Sequence, residues 1–148
     1  MKVVSDASPL ITFARIGYFH LLRKFYLRIS ISIEIYNEVV VAGAGLPGAR
    51  QVAQADWIKI VPVQDKAGVA LGVERTGLGA GEVSTVLLTK QLSADLVLIG
   101  EEKARRYALT ESLNVTGCIG ILESLYRHGE LADLQRSLHS TARAEVSH

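Results

Sequence analysis

The acidic side chains at the ends of apolar runs are the residues here whose chemistry is most easily stated. Asp6 closes the run Val3-Val4-Ser5, and Glu101 and Glu102 follow Leu96-Val97-Leu98-Ile99-Gly100. Glu82 comes directly after Gly81 at the head of a helical pattern, and Glu34 and Glu38 stand four residues apart. Carboxylate oxygens are hard ligands that suit Mg²⁺ or Mn²⁺, ions that keep positions open for phosphate oxygens. Several acids brought together repel one another unless a cation sits between them. A divalent ion held in that way polarises a phosphodiester and makes water a nucleophile near neutral pH. If these acids converge, they suit a metal ion acting on a phosphodiester; the residues by themselves establish only a candidate acid cluster.

Each acid also has a plainer reading. Ser8-Pro9 is expected to start a helix, with serine as N-cap and proline at the first helical position. That would leave Asp6 without a structural task. Glu101, Glu102 and Glu82 each open a helix, where a negative charge gains roughly 0.3–1 kcal/mol from the macrodipole. Glu34 and Glu38 would share one helix face, opposite the apolar Ile35, Tyr36, Val39 and Val40, and pattern alone favours a solvated face. Whether the acids converge is decided by the fold. Lys103, Arg105 and Arg106 lie on the helix that follows the Leu96–Ile99 run. Lys103 and Arg106 are candidate phosphate contacts, although a solvated face explains all three cations. Ser5 and Thr116 are candidates for holding a carboxylate, a water or a phosphate. The histidines at 20, 128, 139 and 148 show no ligand spacing.

These residues need a scaffold, and the pattern supplies one. Strands are expected at Lys2–Ser5, Leu27–Ile33, Trp57–Val63 and Asp95–Ile99, with a short one at Val115. Helices are expected at Ser8–Ile16, Tyr18–Tyr26, Leu46–Ala55, Ala80–Leu92, Glu101–Leu113, Cys118–Arg127 and Leu131–Leu138. Glu34–Val41 is ambiguous, and residues 64–78, with three glycines, read as loop. Asp95–Ile99 is nearly all apolar, as befits a strand buried on both faces. Strands alternating with helices imply a parallel sheet covered on both sides. In such sheets, sites form at the carboxyl ends of the strands.

With 148 residues, about half of them hydrophobic, the chain fits one domain with a real core. The single cysteine, Cys118, excludes an internal disulfide and a cysteine-clustered zinc site, which suits a cytoplasmic protein. The N-terminus meets Asp6 before any long apolar run, so no signal peptide is expected. Even Val39–Ala49, which no uncharged stretch exceeds, falls short of the ~18–20 apolar residues a membrane helix requires. A net charge of +1 means that a nucleic-acid partner would need a local basic patch.

Gly43-Ala44-Gly45-Leu46-Pro47-Gly48 spells GxGxxG; Val39–Ala42 could be the strand before it, and Asp65 lies about 20 residues on, after the Trp57–Val63 strand. A dinucleotide site built on Gly43, Gly45 and Gly48 is thus a minor alternative. Against it, the following helix would be short, and a whole strand–helix unit precedes the supposed first strand. A surface turn between helices explains the glycines more simply.

In order along the chain, VVSDASPLI (3–11), EIYNEV (34–39), DWIKIV (56–61), LGAGEVSTVLL (78–88), ADLVLIGEEKARRYA (94–108) and VTGCIGILESLYRHGEL (115–131) resemble the PIN-domain ribonucleases. The likeness is to the VapC-type toxins of prokaryotic toxin–antitoxin pairs. It implies a three-layer α/β/α fold around a parallel sheet of four to five strands, as one domain over residues 1–138 with a frayed tail at 139–148. It also implies Mg²⁺ or Mn²⁺, an RNA substrate, a homodimer and an antitoxin partner. By the same resemblance, Asp6, Glu38 and Glu82 hold the metal. Similar proteins usually place an aspartate where this chain has Gly100. Glu101, next door and longer, is then the candidate to replace it. The alternative is a PIN-like domain that binds RNA or protein with weakened catalysis.

Overall fold

The structure, a computed structural model, describes residues 1–129. The expected Leu131–Leu138 helix and the 139–148 tail lie outside those residues. Five short strands form one parallel sheet: β1 (Val3–Ser5), β2 (Ile29–Ser32), β3 (Ile58–Val61), β4 (Leu96–Leu98) and β5 (Val115–Thr116). Their order across the sheet is β3-β2-β1-β4-β5. The chain thus builds outward in one direction from β1, returns, and builds outward in the other. β1 and β4 flank that reversal, and Val3, Val4 and Ser5 pair in register with Leu96, Val97 and Leu98. A sheet that reverses its order opens a crevice beyond the carboxyl ends of the two strands that meet there.

The period-2 alternation of the strands divides the core in two. Val3, Ile29, Ile31, Ile58 and Leu98 face one side, where they pack with Leu10 and Phe13 of α1 (Ala7–Arg15), Leu22 of α2 (Phe19–Tyr26) and Ile121, Leu122 and Leu125 of α8 (Cys118–Arg127). Val4, Val97 and Ile99 face the other, against Val69 of α5 (Lys66–Thr76), Val83, Val86 and Leu88 of α6 (Ala80–Gln91) and Ala104 and Ala108 of α7 (Glu102–Thr110). The result is a three-layer α/β/α fold. β2 shows the alternation most plainly, because its isoleucines enter the first core while Ser32 turns to the second. There Ser32 Oγ lies 2.8 Å from Ser84 Oγ of α6, and it also accepts from Ile35 N at 3.1 Å to cap α3 (Ile33–Tyr36).

Two expectations are corrected. Residues 64–78 are not a loop, for α5 occupies most of them. Asp65 caps this helix by accepting from Gly68 N at 2.9 Å, and Gly77, at φ +72°, ends it. Its glycines weaken the helical pattern, but Gly72 is there for packing: a Cβ would stand 2.5 Å from Val83 Cγ1 of α6. Second, α1 begins at Ala7 and not after Ser8. The ambiguous stretch Glu34–Val41 is helical, and Val39–Ala42 is not the strand that the dinucleotide alternative needs. α3 runs on into a π-helical segment, Asn37–Ala42, and the glycines 43–48 merely connect that segment to α4 (Ala49–Gln54). With no strand before the glycines and Asp65 spent on capping α5, the dinucleotide arrangement is absent from this part of the chain.

Candidate active site

At the reversal point the ladder between β1 and β4 continues one residue past the strands, with Asp6 N donating to Leu98 O at 2.9 Å. That bond brings Asp6 to the sheet's carboxyl edge beside the turn that carries Gly100 and Glu101. Asp6 is almost fully buried, and its Oδ1 accepts from Ala7 N at 2.8 Å. The aspartate therefore does cap α1, contrary to the expectation that Ser8 would. The bond engages only Oδ1.

Glu38 reaches the same place from the π-helical segment. A change from i→i+4 to i→i+5 bonding rotates the residues that follow, and such segments are frequent at functional sites. Here it separates two acids expected to share a face: Glu34 turns to a groove beside Pro62 and Lys66, Glu38 to the cleft with Asp6. Glu38 approaches the head of α6 so closely that a Cβ on Gly81 would lie 2.8 Å from its Oε1 and 3.0 Å from Ile35 Cδ1. Gly81 was not singled out from the sequence. The available signal was a glycine inside an otherwise clear helix, which commonly marks a close approach.

Glu82 occupies the third helical position of α6. Its Oε1 accepts from Gly79 N at 3.1 Å, which satisfies one of the helix's free donors. Its Oε2 is buried with no hydrogen-bond partner. Glu101 enters from the β4–α7 corner, near enough to Glu82 for its charge to raise that glutamate's pKa. Asp6, Glu38, Glu82 and Glu101 thus line one cleft of about 310 Å³, together with Ser8, Ile11 and the turn Gly79–Gly81.

The electrostatics follow from the crowding. Burial pushes the Asp6 carboxyl up to about 7, against the opposing bond from Ala7, with Glu82, Glu38 and Glu101 adding repulsion. Glu38 is raised by burial and then by Glu101. Glu82 is raised by burial and by Glu101 and Glu38, while its bond from Gly79 opposes the rise. No cationic side chain among the described residues lines the cleft. Among the described residues no three Asp, Glu, His or Cys side chains are drawn together as a metal-holding group. Like charges facing one another with no cation between them are expected to stand apart in this way. The donor set itself fits a hard divalent ion: it is oxygen throughout and includes a buried carboxylate oxygen with nothing to bind.

The other candidates lie outside this lining. Ser5 is buried and donates to Asp6 O at 2.8 Å, so it steadies the strand end behind the aspartate. Arg106 is exposed and paired with Glu102 at 2.6 Å, which lowers the glutamate's pKa. Lys103 is exposed over the Gly77 turn, where a Cβ would lie 3.4 Å from its Nζ. Thr116 stands over Gly120 at the head of α8. Of the three helix cations, only Arg105 touches the corner carrying Glu101, through its bonds to the carbonyls of Ile99 and Gly100.

No curated protein matches the sequence. A family model described as a PIN domain, however, matches residues 2–146, nearly the whole chain. The chain belongs to the PIN-domain family, whose members are generally nucleases.

Proposed function

We propose that the protein is a divalent-metal-dependent endoribonuclease, the toxin of a toxin–antitoxin pair, whose ion is held by Asp6, Glu38 and Glu82 with Glu101 as a fourth carboxylate. The observation that carries this reading is the meeting of four acids from four separate elements in one cleft at the sheet's reversal point, with no cation among the described residues to balance them and Glu82 Oε2 buried without a partner. Family membership supports the substrate class, because PIN nucleases generally act on RNA and use divalent metals. Mg²⁺ or Mn²⁺, once bound, supplies the positive charge that polarises a phosphodiester and activates water.

The chain's own residues do the rest. Asp6 and Glu82 each bind one backbone N–H through one oxygen, which fixes the carboxylate and leaves its second oxygen to serve the ion. Gly81 admits Glu38, and Ile11 supplies an apolar wall to the cleft. Lys103 is the exposed cation for a phosphate of the RNA backbone, whereas Arg106 is committed to Glu102. The antitoxin, the homodimer and a cytoplasmic location belong to the same reading. No helix among the described residues is long and apolar enough to cross a membrane.

Gly100 favours a second reading, in which the domain binds RNA or protein with little turnover. Cleavage of RNA by the purified protein in Mn²⁺, with EDTA and Asp6→Asn as controls, separates the two. Cutting that EDTA and Asp6→Asn both abolish supports the nuclease. RNA binding without cutting, where another PIN nuclease cuts, would move the conclusion to the binding domain.

A further inference from the structure

Gly100 has no room for a side chain. A Cβ there would lie 2.9 Å from Ser8 Cβ, closer still to Ser8 Oγ, and 3.5 Å from Cys118 Sγ. Its backbone is not in the left-handed region, so space rather than conformation requires the glycine. Had a side chain simply been lost at 100, an empty space would stand over the glycine. Ser8 fills it instead. Ser8 belongs to α1, the helix that Asp6 caps, so the missing Cβ lets the β1–α1 corner close on the β4–α7 corner.

The corner is also held from α7. Arg105 Nη1 donates to Gly100 O and, at 3.4 Å, to Ile99 O. Its guanidinium lies against Gly117, whose Cβ would stand 2.9 Å from Nη1. Gly117 is the N-cap of α8, so three elements meet around one turn. The residue after the clamped glycine is Glu101, which lines the cleft together with Glu82.

We propose that Ser8, Gly100 and Arg105 are positioning residues, a seat and strap that deliver Glu101 to the cleft as its fourth carboxylate. What that carboxylate is for rests on the nuclease reading; where it is held does not. The seat leaves no space for an acid at position 100 itself, so the carboxylate enters one residue later on a longer side chain. Gly100→Asp is accordingly no simple addition of a ligand, because its Cβ meets Ser8 before its carboxylate reaches the cleft.

The test is a double-mutant cycle on the full chain with Ser8→Gly, Gly100→Ala and the pair together. Each protein is followed by Mn²⁺ calorimetry, thermal melting and crystallography. Gly100→Ala is expected to weaken Mn²⁺ binding about tenfold or more, the scale of losing a group that orients a ligand. It should also lower the melting temperature by several degrees and move Glu101 away from Glu82. Adding Ser8→Gly removes the obstruction and should return most of the affinity and the Glu101 position, so that the two effects are far from additive. Arg105→Gln should weaken Mn²⁺ binding although the residue does not line the cleft. Unchanged Mn²⁺ affinity and Glu101 position in Gly100→Ala would overturn the proposal, as would a defect that persists undiminished beside Ser8→Gly. If the parent binds no Mn²⁺, the nuclease reading falls. The crystal positions of Glu101 across the cycle then decide the seat alone: displacement in Gly100→Ala with return in the pair supports it, and an unmoved Glu101 refutes it.

Discussion

Two regions of this molecule invite opposite readings. The loop 43–48 spells a nucleotide-binding motif, yet it carries no charge and joins two helical segments. Gly45 and Gly48 are needed there for positive φ, +84° and +96°, and a Cβ on Gly45 would meet nothing within 4 Å. The acid cleft spells no motif, and each of its carboxylates has a bland local explanation. Two of these carboxylates do serve their helices, for Asp6 caps α1 and Glu82 accepts a bond at the head of α6. Each carboxylate nonetheless gives only one oxygen to its helix. A site is therefore better recognised by uncompensated charge gathered by the topology than by the spelling of a loop. The glycines that matter to function are those pressed against side chains, Gly81 and Gly100, rather than those that turn the chain.

The largest expected effect is at Asp6. Asp6→Asn keeps a carbonyl oxygen for Ala7 N but removes a ligand charge, so RNA cleavage in Mn²⁺ should fall by about a hundredfold or more. Stability should move the other way. The Asp6 carboxyl goes from an ordinary 3.8 to about 7 in the fold, so between those values the folded state holds a proton that the unfolded state has released. Stability of the metal-free protein must then fall as pH rises from about 4 to about 7 and level off above, by on the order of 4 kcal/mol from this group alone. Glu38 and Glu82, also raised, contribute with the same sign. Melting curves in EDTA at pH 5 and pH 8 check this, and Asp6→Asn should flatten the difference. A parent as stable at pH 8 as at pH 5 would mean that the acids are not crowded as described.

The same crowding predicts what a metal does. At pH 8, Mn²⁺ at about 100 times its dissociation constant should stabilise the parent by about 2.7 kcal/mol, and Asp6→Asn by much less. A dinucleotide at similar excess should shift nothing. A melting shift with NAD and none with Mn²⁺ would reverse the comparison between the two regions.

How much of this was legible in advance differs by level. The strands read well because their burial is written locally: Val97 and Ile99 face one core and Leu98 the other, which leaves an unbroken apolar run. α5 was missed because Gly68, Gly72 and Gly77 serve a cap, a helix contact and a stop, all of which look like loop when read singly. The acids were legible as residues but not as a cluster. Nothing in the spacing of Glu34 and Glu38 announces the π-helical segment that sends them to different clefts. Ser8 was read as a cap, since its true neighbour, Gly100, lies 92 positions away and is close only because β1 pairs with β4.

A smaller effect is expected at Gly81. Replacing a helical glycine by alanine ordinarily stabilises, by up to about 1 kcal/mol in a helix interior and less in a first turn such as that of Gly81. Here the new Cβ would fall 2.8 Å from Glu38 Oε1, and 3.0 Å from Ile35 Cδ1. Gly81→Ala should therefore gain no stability and should weaken Mn²⁺ binding about tenfold, as Glu38 is pushed aside. Calorimetry and melting on the same preparation check both halves. A stabilised variant with full affinity would show that Glu38 is free to move and does not depend on α6 for its place.

The least effect on function belongs to the loop. Gly45 sits at φ +84°, where an L-residue costs roughly 1–2 kcal/mol, but a Cβ there meets no neighbour. Gly45→Ala should lower the melting temperature by a few degrees through backbone strain alone and leave Mn²⁺ affinity and RNA cleavage at parental values. Paired with Gly81→Ala, this gives a crossed result: one glycine matters to stability and not to the site, the other to the site with no gain in stability. If Gly45→Ala instead abolished RNA cleavage while the protein stayed folded, the loop would have to be reckoned part of the substrate path. The cleft alone would then no longer account for the chemistry.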